Sequence, residues 1–169
     1  LNFVAGQTVA NSAITKLSPN GTICVYSDAP TDLIIDTNGY HTSSSTFGPL
    51  DPGRLLDSRV GGSTVDGRWS GIGARPAGSV IEVQIAGRGG IPETATAALL
   101  NVTVTRPTTA GYLTVFPCTP SVPTASNLNF VAGQTVANSA ITKLSPNGTI
   151  CVYSDAPTDL IIDTNGYHT

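Results

Sequence analysis

The 169-residue sequence contains no methionine, one tryptophan and two histidines, and only 11% of it is charged, against roughly 25% in an average globular chain. So thin a supply of charge excludes several roles. The net charge of −3, with basic residues scattered singly, leaves no electrostatic footprint for nucleic acid or an anionic membrane surface. No apolar run approaches the roughly 20 residues needed to span a bilayer, so no membrane insertion is expected. Helical spacing is missing too, since no stretch longer than a turn or two keeps a period near 3.6. With so few histidines and no metal-ligand spacing, neither a metal centre nor a cofactor is expected. A nucleophile elbow, a phosphate loop and an acid–base pair that one unit could assemble are all missing, so the sequence reads as that of a non-enzyme.

What is present in excess is repetition: residues 1–42 recur without a change as residues 128–169. The offset of 127 residues from Leu1 to Leu128 is the size of one ordinary domain. It is too long for a solenoid, whose repeats run roughly 20–50 residues. Leu1 opens mid-pattern, which reads as a cut through a longer tandem array. On that reading residues 1–42 are the C-terminal part of a preceding repeat, residues 43–53 are a linker, and residues 54–169 are a complete unit. The segment 43–127 then has two identical candidates to complete it, and the unused copy exposes strand edges, which template pairing with another chain. The expected partner is a neighbouring repeat or chain, engaged by swapping or head-to-tail strand donation. The alternative is that natural units are permuted relative to this boundary, and both copies fold in one elongated chain.

Period-two alternation dominates the chain. Ile81, Val83 and Ile85 face away from Glu82 and Gln84, and Leu100, Val102 and Val104 face away from Asn101, Thr103 and Thr105, as expected of half-buried strands. Tyr112–Pro117 continues the pattern, and the repeated segment supplies Leu128–Val131, Val136–Leu144, Thr149–Ser154 and Asp159–Tyr167. Leu160-Ile161-Ile162 is short enough for a strand buried on both faces. Asn147-Gly148 is a strong hairpin signal. Seven to nine short strands per unit predict an all-β domain, an antiparallel β-sandwich of Greek-key or jelly-roll type, with a closed β-barrel as the alternative. Residues 60–79, rich in glycine, form a loop long enough to carry function.

Each full unit carries two cysteines, represented by Cys118 and Cys151, because Cys24 is the copy of Cys151. An even count per unit points to a Cys118–Cys151 disulfide with Cys24 left unpaired or with another partner, and to an oxidising compartment. Three buried thiols are the alternative. The hydroxyl- and amide-rich composition suits a secreted or cell-surface protein.

Several stretches resemble a tandem repeat of secreted actinobacterial surface proteins: Gly53-Arg54-Leu55-Leu56-Asp57-Ser58-Arg59, Ala86-Gly87-Arg88-Gly89-Gly90-Ile91-Pro92, Leu100–Thr105, Gly111–Cys118, Ala125–Phe130 and Asp159–Tyr167. The resemblance covers nearly all of residues 53–167. It implies a modular unit, attached in series or appended to secreted hydrolases, with no catalytic residues to carry over.

The remaining candidates are few. Trp69, flanked by Arg68 and followed in the same loop by Arg75, could stack on a sugar ring; equally, its indole could plug the end of the sandwich. Arg54, Asp57 and Arg59 cluster, as a binding group or as a pin between strand and loop. Asp163-Thr164-Asn165-Gly166, copied from Asp36–Gly39, lacks the later ligands of a calcium loop and reads as a turn. Lys143 shares strand parity with Ile141, which predicts a part-buried ammonium. His41 and His168 read as structural. The expected function is a non-catalytic stalk, spacer or fibre-forming module that associates with its own neighbours; the alternative is a carbohydrate-binding or adhesin module with glycan partners.

Overall fold

The computed structural model describes residues 1–37, 39–42 and 44–169. Asn38, inside the first Asp-Thr-Asn-Gly copy, and Ser43, at the start of the stretch read as a linker, lie outside the described residues. Among the described residues there are eight strands and no helix: β1 (Phe47–Asp57), β2 (Ser79–Gln84), β3 (Ala97–Thr105), β4 (Gly111–Phe116), β5 (Leu128–Phe130), β6 (Val136–Lys143), β7 (Thr149–Ser154) and β8 (Asp159–His168).

The strands lie in two four-stranded sheets, ordered β1-β8-β3-β6 and β2-β7-β4-β5. All ladders between them are antiparallel. The molecule is therefore an antiparallel β-sandwich and not a barrel. Its pairing scheme, β1 with β8, β2 with β7, β3 with β6 and β4 with β5, is that of a jelly roll. Such a fold is one long hairpin, here with outgoing arm β1–β4 and return arm β5–β8, rolled so that successive ladders alternate between the sheets. Residues 117–127 make the bend. The return arm is the second copy of the repeated segment, whole.

Alternation along each strand builds the core. Ala98, Leu100, Val102 and Val104 of β3, Leu113 and Val115 of β4, Ile150 and Val152 of β7, and Leu160 and Ile162 of β8 fill the space between the sheets. Since side chains of successive residues point to opposite faces, the intervening positions face outward. Leu160, Ile161 and Ile162 are 1%, 6% and 0% exposed, so this run is buried on both faces, as its continuous apolar character predicts.

Three local expectations change. Strand β1 starts at Phe47, inside the stretch read as a linker, because β8 offers it a ladder from Phe47↔His168 onward. Gly48 and Pro49 stand opposite Tyr167 and Gly166, and Pro52 falls where the register shifts between Pro49 and Gly53, on an edge strand, where proline is tolerated. Second, Asp163–Gly166 is not a turn: it lies within β8, and the ladder with β3 passes from Leu99↔Gly166 to Leu100↔Thr164. Asn165 is thus bulged out, since partners on both sides of β8 outweigh the local turn preference. Third, Lys143 does share a face with Ile141, but that face is open at the sheet edge: Ile141 is 59% exposed and Lys143 is exposed.

The first copy behaves differently. None of its described residues belongs to a strand. Leu33, Ile34 and Ile35, the counterparts of the buried run in β8, are 58%, 85% and 60% exposed.

Candidate functional site

The loop after β1 is the longest irregular segment of the sandwich, and backbone bonds hold it along its length. The Asp57 N–H donates to the Trp69 carbonyl at 3.0 Å, the Gly71 N–H to Asp57 at 2.9 Å and the Gly73 N–H to Ser58 at 2.8 Å. The Arg75 N–H donates to Thr158 at 2.7 Å, which ties the far end of the loop to the start of β8.

Trp69 sits at the centre with φ of +53°, a region that bulky residues rarely adopt unless surrounding contacts fix them there. Its ring packs against the core, and its Nε1–H donates to the Glu82 carbonyl at 3.2 Å. The guanidinium carbons of Arg68 and Arg88 each lie 4.6 Å from the ring centroid, within cation–π range. Arg68 is exposed. Arg75 turns its guanidinium back on its own loop, donating to Ile72 at 2.9 Å and to Gly73 at 2.9 and 3.2 Å. Trp69 and Arg68 are thus brought together, whereas Arg75 serves the loop backbone.

The residue that organises this region is Arg88, which spacing alone does not single out. It is 4% exposed. Its Nε and Nη2 both donate at 2.7 Å to the two oxygens of Asp66, a bidentate pair of the strong kind. Nη1 donates to the Gln84 carbonyl and Nη2 to the Leu55 carbonyl, each at 2.8 Å. One side chain therefore joins β1, the end of β2 and the loop. These bonds hold the Asp66 carboxyl well below the usual carboxylate range. The glycines around Arg88 make room for this approach: a Cβ on Gly89, whose φ is +57°, would lie 3.0 Å from Leu55 Cδ2. An arginine flanked by glycines in so lightly charged a chain is the sequence signal.

A second ionic array lies on the outward face of the β1–β8 pair. Arg54 donates to Asp163 at 2.8 and 3.3 Å and to Asp57 at 3.1 Å. Arg59 donates to the same Asp57 at 2.9 and 2.7 Å. The Asp57 side chain is 1% exposed, and the hydrogen bonds from Arg59, with the nearby Arg54 charge, lower its pKa. Each carboxylate is satisfied by an arginine, and the array fastens β1 to β8. Arg106 likewise meets Asp159 at 2.7 Å.

Cys118 and Cys151 form a disulfide with their Cα atoms 4.8 Å apart. Cys118 lies two residues beyond the Phe116↔Cys151 pair of the β4–β7 ladder, so the bridge fastens the bend between the arms to the return arm. Cys24 is free and exposed. His168 packs on Phe47 with ring centroids 5.2 Å apart, and His41 approaches the same Phe47 at 4.4 Å.

A cleft lined by Ser12, Arg54, Asn101, Ser139, Asp163 and Asn165 lies where the first copy crosses the outward face of the first sheet. There the Ser139 hydroxyl donates to the carbonyl of its own counterpart, Ser12, at 2.5 Å. Among the described residues no three His, Cys, Asp or Glu side chains form a group that could hold a metal ion. No family model matches the chain, and no curated protein matches it.

Proposed function

We infer that the chain is a non-catalytic structural module of a secreted or cell-surface protein, a stalk, spacer or fibre-forming unit that associates with neighbouring repeats. The observation carrying this reading is that the duplicated segment corresponds to one entire arm of a jelly roll. Duplication at that boundary multiplies complete pairing units, which is what a serial scaffold requires. The buried arginine, the paired carboxylates and the Cys118–Cys151 bridge direct the polar chemistry toward holding strands and loop together. A disulfide suits an oxidising compartment, and no helix among the described residues is long and apolar enough to cross a membrane. The likeness to secreted actinobacterial repeats supports the same reading.

A carbohydrate-binding or adhesin role is the second reading. On the outward face of the second sheet Tyr112 and Tyr153 pair at 5.8 Å, beside Val80, which is 48% exposed and stands opposite Tyr153 in the ladder. Trp69, with its N–H bonded and two guanidiniums on its ring, has the geometry of an anchor. A glycan array probed with the full chain separates the readings. The structural module leaves the array empty; retention of a glycan that is lost in Tyr153→Ala or Trp69→Ala with unchanged circular dichroism would overturn it.

A further inference from the structure

The jelly roll is built from two arms that pair strand for strand, and this chain holds one outgoing arm flanked by two identical return arms. Residues 1–42 carry every side chain by which residues 128–169 meet β1–β4. The exposed apolar residues of the first copy mark what it lacks. Ile23, Val25 and Ile35 are 43%, 53% and 60% exposed, while their counterparts Ile150, Val152 and Ile162 are 0%, 2% and 0% exposed.

The geometry of the chain connection permits the replacement. At one end of the β1–β8 ladder Phe47 stands opposite His168. His41 is the copy of His168, and only residues 42–46 separate it from Phe47. A first copy seated in the return-arm slot would therefore enter β1 through a five-residue loop, an ordinary length for a β-hairpin. The end of the first copy already stands at the mouth of that slot: the His41 ring is 4.4 Å from Phe47 and 6.3 Å from His168. Ser12 likewise touches Ser139, its own counterpart on the edge strand β6. The result would be a circular permutant of the observed sandwich, a rearrangement that compact domains with neighbouring termini accept.

We propose that the slot occupied by residues 128–169 is also a binding site for residues 1–42 of the same chain, which enter it by displacing the second copy strand by strand, with Cys24 taking the place of Cys151 beside Cys118. The exchange needs no oxidant. The Cys24 thiolate attacks Sγ of Cys118, the bond to Cys151 breaks, and Cys151 leaves as a thiolate that takes up the proton Cys24 gave. The closure through residues 128–169 has contacts of the bend in its favour, among them Val115 N–H to Asn127 Oδ1 at 2.7 Å and Thr114 hydroxyl to the Ala125 carbonyl at 2.5 Å. The inference is independent of the role the module serves.

The test damages one copy at a time in the full chain. In Ile162→Asp a charge enters the core through the second copy only, while Ile35→Asp/Ile162→Asp damages both. Each is folded from the reduced state with a glutathione couple, in which two cysteine thiols give two protons and two electrons to one glutathione disulfide and release two glutathione thiols. Trypsin places the three cysteines in separate peptides, Leu17–Arg54, Gly89–Lys143 and Leu144–Thr169. Ile162→Asp is expected to remain a cooperatively folded monomer with Leu17–Arg54 linked to Gly89–Lys143, and the double variant to lose its folded near-ultraviolet signal. Unfolding of Ile162→Asp as complete as that of the double variant would overturn the proposal, as would a folded Ile162→Asp that keeps the Cys118–Cys151 link. Cys151→Ser, which removes the bridge without placing a charge in the core, gives a second reading: a Cys24–Cys118 bond within monomers is expected. Two persistent free thiols, or that bond found only in covalent dimers, would overturn closure within the chain.

Discussion

Residues 1–42 and residues 128–169 hold sequence constant within one molecule, so propensity, hydrophobic pattern and charge cannot account for any difference between them. The second copy forms β5 to β8 and buries the inward-facing apolar residues of those strands, among them Ile150, Val152, Leu160 and Ile162, whereas the described part of the first forms no strand. Short-range structure is nonetheless the same in both. Gln7 N–H donates to Val4 at 3.1 Å, as Gln134 does to Val131 at 3.1 Å. Gly21 donates to Ser18 at 2.9 Å, as Gly148 does to Ser145 at 2.9 Å, and φ is +73° at both glycines. The turns need only their own residues. The strands need a ladder partner, and β1 to β4 serve one copy at a time.

The most damaging way to break this contrast is to remove the acceptor. Arg88→Ala deletes the bonds to Asp66, Leu55 and Gln84 and leaves buried carbonyls unpaired, so unfolding free energy should drop by about 3–5 kcal/mol. Both copies would then lose their common partner. Denaturant titration measures the loss, and Arg88→Lys should not restore it, because an ammonium cannot reproduce the bidentate fork.

The cysteines sharpen the contrast next. Cys118→Ser opens a 33-residue link and should cost about 3–4 kcal/mol in the chain-entropy model. Cys24→Ser, at an exposed position, should stay within about 0.5 kcal/mol of the parent. Paired core truncations follow. Ile162→Ala should lower stability by up to about 2–5 kcal/mol and Ile35→Ala by about 0.5 kcal/mol or less; a shortfall in the first value gauges how readily the first copy takes over.

The smallest effect is set by pH. The folded-state pKa of Asp66 lies below its unfolded value, so its contribution is full above the ordinary carboxylate range, near pH 4 and upward. It fades as pH falls through that range toward the folded value. The denaturation midpoint should drop in acid, and Asp66→Asn should lower the midpoint at neutral pH while flattening the acid limb.

Much of the fold is legible in the chain because alternation reports which side of a strand is buried. The alternation at Ile81–Ile85 and Leu100–Thr105 and the expected strand Tyr112–Pro117 lie on or within a residue of β2, β3 and β4, and the four segments read as strands in the repeat fall within one residue of β5 to β8. The start of β1 was hidden by Gly48, Pro49, Pro52 and Gly53, which read as linker chemistry until β8 supplies a partner. The bulge at Asn165 was hidden for the same reason. Trp69 could be placed in a loop, as a plug of the sandwich end or a sugar-stacking ring, and the packing of its ring on the core rests on contacts with Glu82 and Arg88, 13 and 19 positions away. Arg88 itself carries a signal in its flanking glycines, whose need for close approach to Leu55 shows only in three dimensions.

The turns at Val4–Gln7 and Ser18–Thr22 form alike in both copies and so follow from their own residues, as do the period-two pattern and the even cysteine count of each unit. Which copy becomes strands, which thiol meets Cys118 and which isoleucines leave water depend on contacts with distant parts of the chain. The physical reason is range. A turn closes its hydrogen bonds within about five residues, whereas a strand leaves its N–H and C=O groups to a partner arm that the local sequence does not contain.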